Sequence, residues 1–247
     1  ALDRLPEVFL LQGFLSQVAG GRHLQGFGLF SLDEQRGKLA LEQGRIMLTA
    51  AKERAMADGV TAPESKQRHG DLLESLQELQ SETRLLVIGR QGEDSGDAIQ
   101  HIGSQLENVI RTMQRPILVA PNDFSAPQSV MLAFDGSATS RKGVEMLAGS
   151  PLFKGMPIHL VMVAADTADN QAQLENARGV LTAAGFNVEI AIRAGEVEPT
   201  LHAYQAEHGI DLLVMGAYSH SPLRSWLRGS KTTDLLRAAR IPTLLLR

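Results

Sequence analysis

At 247 residues, 43% of them hydrophobic and only 4% aromatic, the chain suits one large domain or two of about 120 residues with aliphatic, alanine-rich cores. A formal net charge of −4 argues against nucleic-acid binding, which needs a basic face to neutralise phosphate. The absence of cysteine removes disulfides, thiolate zinc sites and cysteine nucleophiles together.

No charged segment followed by a short apolar core opens the chain, and no apolar run approaches bilayer length, so a cytoplasmic protein without membrane contact is expected. Residues 8–13 (VFLLQG) are the first apolar run, and 20–28 (GGRHLQGFG) is glycine-rich and reads as a loop. Leu48-Thr49-Ala50-Ala51 followed by Gly59 resembles a helix end, with residues 52–54 and Asp58 on a solvated face. An apolar run then ends at Gly89, a polar loop leads to Gly103-Ser104 and a helix-like stretch, and Pro116 opens a closing apolar run.

Beyond a linker at 122–128 the pattern is cleaner. Residues 129–135 (SVMLAFD) read as a buried strand stopped by Asp135-Gly136-Ser137. A helix over 137–147 follows, with Ser137 or Thr139 as N-cap. Strands are expected at 158–164, 187–192, 212–215 and 243–246. Helices are expected at 169–184, closed by Gly185, then at 198–208 and 231–239. Alternating strands and helices with near-continuous aliphatic strands imply a parallel sheet covered on both faces.

The two endings match each other. Gly103-Ser104 and Gly229-Ser230 are 126 residues apart, as are Pro116 and Pro242. Leu48-Thr49-Ala50-Ala51 answers Leu181-Thr182-Ala183-Ala184, Gly59 answers Gly185, and His69-Gly70-Asp71 answers Ala194-Gly195-Glu196. A period this long is a duplicated domain rather than a solenoid, giving repeats at 1–121 and 129–247. Upstream of residue 42 the correspondence fails, and Gln12 is the residue nearest the Asp135 position. Either the first repeat is degenerate, or it lacks its opening strand and helix.

In open α/β sheets ligands sit beyond the carboxyl ends of the strands, where strand order reverses. Gly216 and Gly229 bracket a loop ending at a helix start, where unpaired N–H groups, those of Ser230 and Lys231 included, suit phosphate. Arg224 and Arg228 in the same loop suit distal phosphates. Read alone, the two glycines are equally consistent with loop punctuation. Gly229-Ser230-Lys231-Thr232 is not a Walker A loop, which needs Lys directly after Gly, and no G-x-G-x-x-G follows a strand. His202 and His208 are six apart, without the pairing or acidic partner of a helical metal site, so no metal site is expected. No Asp/His pair is spaced to activate Ser137, and no catalytic residue is assigned.

LAFDGS at the first strand, MGAYSHS…RGSKTTDLLR and the closing IPTLLLR resemble the universal stress proteins, in tandem form. That resemblance implies an adenine nucleotide alpha hydrolase-like fold: two repeats of an open, mostly parallel five-stranded sheet with helices on both faces. It also implies ATP or AMP as ligand, with Mg²⁺ if ATP. The family loop reads G-x2-G-x9-G-[ST]; here Gly216, Ser219 and Gly229-Ser230 fall at those spacings, with Ser219 where a second Gly is expected. Ala133 and Asp135 would then face adenine, Val163 the pocket wall, Met215, Gly216 and Ser219 the sugar–phosphate side, and Gly229, Ser230 and Thr232 the phosphates. The first repeat keeps Gly89, Gly92, Gly103 and Ser104 but places Glu93, Asp94 and Asp97 inside its loop, against a triphosphate.

The resemblance further implies that the terminal strands pair antiparallel, making an internal pseudo-dimer and leaving room for a homodimer. Two function readings follow: a stress-response module sensing adenine nucleotide in the second repeat, with at most slow hydrolysis, or a nucleotide-free scaffold acting through protein partners. A dedicated enzyme lacks an acid–base pair.

Overall fold

The computed structural model describes residues 9–10, 29–68, 70–90, 104–121, 123–216 and 239–246. Before residue 122 lie β1 (Phe9–Leu10), α1 (Leu29–Ala57), α2 (Leu72–Leu79), β2 (Leu86–Gly89), α3 (Ser104–Thr112) and β3 (Ile117–Ala120). After it come β4 (Val130–Ala133), α4 (Ala138–Gly149), β5 (Ile158–Val163) and α5 (Ala168–Ala183). The chain then forms β6 (Val188–Arg193), α6 (Val197–His208), β7 (Leu212–Gly216) and β8 (Thr243–Leu246). The helix expected at 231–239 falls mostly outside the described residues. Among those described, no helix is long and apolar enough to cross a membrane.

Each strand of the second half lies within two residues of its sequence expectation, because its apolar run is bounded by residues that stop a strand. Ser137, rather than Thr139, caps α4: its hydroxyl oxygen accepts from the Ser140 backbone N–H at 3.2 Å. Thr167 caps α5 in the same way, accepting from the Asn170 N–H at 3.3 Å. At the other end Gly185 takes φ +91, and its counterpart Gly59 takes φ +99 after α1. That pair holds the 126-residue offset. The tetrapeptide match does not, because Leu48–Ala51 lies well inside α1 rather than at its end. At the 126-residue offset Ala55, not Leu48, stands in step with Leu181, and both are buried.

The strands join one sheet in the order β1-β2-β3-β8-β7-β4-β5-β6. Two five-stranded sheets were expected, and the difference lies in the first half. There the described residues supply three strands, and 60–68, where a third strand of the repeat would run, forms no strand. β1 pairs parallel with β2 as β4 pairs with β7: Phe9 faces Leu86, and Val130 faces Leu212. Phe9–Leu10 thus takes the place of an opening strand. Continuing that count brings Phe14, rather than Gln12, into sequence step with Asp135.

Every described strand pair is parallel except one: β3 runs antiparallel to β8, with Ile117 opposite Leu245 and Val119 opposite Thr243. The two proline-led strands therefore cover each other's edges, which would otherwise be open apolar templates. Alternate strand residues feed two buried layers. Val130, Leu132, Leu160, Leu244 and Leu246 pack with α4 and α5 through Val144, Leu147, Leu174 and Leu181. Met131, Ala133, Met215 and Leu245 pack with α6 on the opposite face, in a layer that continues to Leu76 of α2, Val109 of α3 and Ile117. That second layer spans both halves of the chain. By contrast α1 leaves Leu39, Leu41, Ile46 and Met56 exposed, and Arg54 pairs with Asp58 at 2.9 Å on its solvated face.

Candidate functional site

From β4 the chain passes through α4 to β5 and through α5 to β6, always in one direction across the sheet. α6 then carries it back over the other face to β7, on the far side of β4. Strand order therefore reverses between β4 and β7, and the carboxyl ends of these two strands are where an open α/β sheet places its ligand crevice. The shared register is held at the opposite edge, where Asp211 before β7 accepts from the Gln128 N–H at 3.0 Å and from the Ser129 hydroxyl before β4.

Five of the sequence-assigned residues lie at or just beyond the carboxyl ends of β4, β5 and β7. Ala133 ends β4, and because Leu132 faces Val214, it lies level with Met215 of β7; both are buried. Gly216 ends β7 and Val163 ends β5. Asp135 follows β4, and its Oδ1 accepts from the Ser137 N–H at 3.0 Å, closing an Asx turn around Gly136 at φ +71. The turn fixes the carboxyl group relative to the start of α4. Gly216 has a packing reason of its own: a Cβ there would stand 3.0 Å from Thr139 Cγ2, so the end of β7 presses on the first turn of α4. Ser219, Gly229, Ser230 and Thr232 lie outside the described residues, as do Gly92 and Gly103 of the first half. Gly89 ends β2 opposite Ala120, and Ser104 opens α3.

A universal stress protein of Synechocystis sp. is 35% identical to the chain over 221 residues, covering 89% of this chain and 77% of that protein. The chain belongs to the universal stress protein family. The family's sequence profile matches residues 162–247, the stretch containing β7 and the glycine loop. A universal stress protein crystal structure from Archaeoglobus fulgidus has the same fold, with a TM-score of 0.69 at 21% identity over 84% of this chain and 77% of its own. A putative universal stress protein from Pseudomonas aeruginosa gives 0.57 at 15% identity over 82% and 77%.

In this universal stress protein the tertiary structure also gathers a polar cluster that sequence reading missed. His159 of β5 stands beside Glu189 of β6 in register, and α6 lays Tyr204 and His208 over the pair. The His159 Nδ1 lies 3.1 Å from the Tyr204 hydroxyl and 3.7 Å from Glu189 Oε2. Tyr204 stacks on His208 at 4.1 Å between ring centroids, and the Arg193 guanidinium lies 5.1 Å from the Tyr204 centroid. The spacing of His202 and His208 gave no hint of it, because positions 159, 189, 204 and 208 meet only once β6 is in register and α6 has folded back. The signal in sequence was a histidine inside the apolar run IHLVMV.

Burial pushes the His159 imidazole below its ordinary pKa, with Glu189 opposing and His208 reinforcing the shift. Above the usual value of about 6.5 both folded and unfolded chains carry it neutral. As pH falls through that value the unfolded chain takes the proton first, so stability drops until the folded pKa is also passed. Urea midpoints should therefore decline from about pH 7 to pH 5, and His159→Gln should flatten part of that slope. Equal slopes in the two proteins would refute the assignment. Elsewhere, a groove of about 380 Å³ between α4 and α5, lined by residues such as Phe134, Arg141 and Gln173, contains none of the sequence-assigned site residues.

Proposed function

We propose that the chain is a tandem of repeats at 1–121 and 129–247, and that the second binds an adenine nucleotide, ATP or AMP, at the β4/β7 crevice as a sensor in a stress response. The observation that carries this reading is the convergence of Ala133, Asp135, Met215 and Gly216 where strand order reverses. Ala133 offers a small, apolar floor on which a base can lie, and the Asx turn presents the Asp135 carboxyl group to its polar edge. Val163 walls the pocket. Ser219, Gly229, Ser230 and Thr232 would take the sugar and phosphates, with Mg²⁺ accompanying ATP. The first repeat, with Phe14 in step with Asp135 and acids in its loop, serves the sheet rather than a second nucleotide.

A thermal-shift titration with ATP, ADP and AMP, with and without Mg²⁺, tests the reading. Ligand at a hundredfold over Kd adds about 2.7 kcal/mol, or roughly 5–10 °C at this chain length. Asp135→Ala should abolish the shift relative to its own ligand-free Tm, whereas Asp97→Ala should leave it intact. Asp135→Asn, which retains the acceptor of the Asx turn, separates loss of the turn from loss of the charge. No shift with any nucleotide would sink the proposal. The reading that remains is a nucleotide-free scaffold, which the exposed Leu39, Leu41, Ile46 and Met56 of α1 favour as a contact surface.

A further inference from the structure

We propose that His159, Glu189 and His208 form a site for a divalent transition-metal ion, Zn²⁺ in the first instance, separate from the β4/β7 crevice. Each residue offers one donor atom, and the three donors lie within 4.8 Å of one another. They come from three elements: His159 is the second residue of β5, Glu189 the second of β6, and His208 the last of α6. All three therefore sit toward the amino-terminal edge of these strands, the edge opposite the crevice.

The donor set decides the kind of metal. Two imidazoles and one carboxylate suit Zn²⁺ and its transition-metal neighbours, whereas Mg²⁺ and Ca²⁺ prefer all-oxygen shells. Three protein ligands with a fourth position for water is a familiar zinc arrangement. With donors about 2.0–2.1 Å from a tetrahedral Zn²⁺, neighbouring donors stand roughly 3.4 Å apart. The His159 Nδ1 and Glu189 Oε2 are already at 3.7 Å. The Glu189 side chain is 59% exposed, which leaves its carboxylate room to adjust toward an ion.

A second, independent observation points to a ligand here. The His208 Nε2 is buried without a hydrogen-bond partner, since the Glu207 carboxylate at 3.9 Å is too distant. The His202 Nε2 on the same helix is buried without a partner too, but among the described residues it is His208 that has two further donors within 4.8 Å. Metal at Nδ1 would replace the hydrogen bond that this nitrogen of His159 shares with the Tyr204 hydroxyl at 3.1 Å.

The test uses the full chain after chelator treatment, titrated with Zn²⁺ by calorimetry and with Co²⁺ for the visible d–d bands of a four-coordinate site. One equivalent of Zn²⁺ should bind, raise Tm, and lose at least tenfold in affinity in both Glu189→Gln and His208→Gln. His202→Gln on the same helix and Asp135→Ala at the crevice should bind as the parent does. Circular dichroism confirms that each variant is folded; Glu189, being exposed, gives the variant that is safe in this respect. Two results would overturn the proposal. One is no zinc binding at all, which would leave the cluster a purely packed aromatic group. The other is zinc binding that ignores Glu189→Gln and His208→Gln, or that follows Asp135→Ala instead.

Discussion

Leu160→Ala should lower the free energy of unfolding by about 2–5 kcal/mol, which for a chain of this length is a fall in Tm of roughly 4–20 °C. Leu160 is fully buried in the middle of β5, flanked by Leu132 of β4 and Ile190 of β6. It lies in the layer that α4 and α5 cover through Leu147, Leu174 and Leu181. Truncation removes apolar contact and leaves a cavity that two flanking strands and two helices cannot easily close. Leu41→Ala and Ile46→Ala make similar chemical changes on α1, where the side chains are 45% and 59% exposed. Those should stay within about 0.5 kcal/mol of the parent. Urea unfolding of the three variants checks the contrast, and a cost below about 1 kcal/mol at Leu160 would mean the central strands are not packed as described.

Leu245→Asp should have the larger effect, a loss of more than about 4–5 kcal/mol, enough to remove most of the stability of an ordinary domain. Leu245 is 1% exposed on β8, between Met215 of β7 and Ile117 of β3. It sits in the apolar layer that runs from Leu76 and Val109 in the first half to Leu201 and Tyr204 in the second. A carboxylate there must be buried charged or protonated, and either costs free energy. Leu245→Met keeps volume and polarity and should cost less than about 1.5 kcal/mol. Because the layer crosses the β3–β8 joint, the parent should unfold in one transition seen alike by fluorescence and circular dichroism. A Leu245→Asp chain with an unchanged urea midpoint would show that the joint does not bind the halves together.

Much of the second half could be read without coordinates. Each strand is an aliphatic run bounded by a stop residue, and α4 and α5 start with a short polar side chain, Ser137 and Thr167, that satisfies an unpaired N–H. The left-handed Gly185 and Gly59 were legible because a helix that ends in a turn needs a positive φ there, which glycine adopts freely. The first half was less legible. α1 carries apolar residues that never become buried, so its hydrophobic pattern says little about packing, and the tetrapeptide match to α5 misplaced the helix end. Residues 8–13, the nearest candidate for an opening strand in the sequence, contain that strand at Phe9–Leu10, and its pairing with Leu86–Val87 fixed the register that the sequence left open.

The candidate site divides in the same way. Asp135-Gly136-Ser137 announced itself as a strand-ending turn, because local hydrogen bonding and a positive φ are written in neighbouring residues. The metal-ligand cluster did not, since His159, Glu189 and His208 are neighbours only through β-sheet register and the return of α6.

The sequence by itself therefore determined the α/β class, the 126-residue spacing between matching glycines and prolines, the strand and helix ends of most of the second half and the turn at Asp135. Each of these depends on residues close along the chain, or on a pattern repeated in it. The resemblance implied the antiparallel pairing of the terminal strands, which β3 and β8 make, but tertiary structure alone decided that Phe9–Leu10 joins the same sheet and that a histidine cluster assembles opposite the crevice. Those outcomes depend on which apolar faces and edges meet, and free energy of burial selects among them only after the local elements exist.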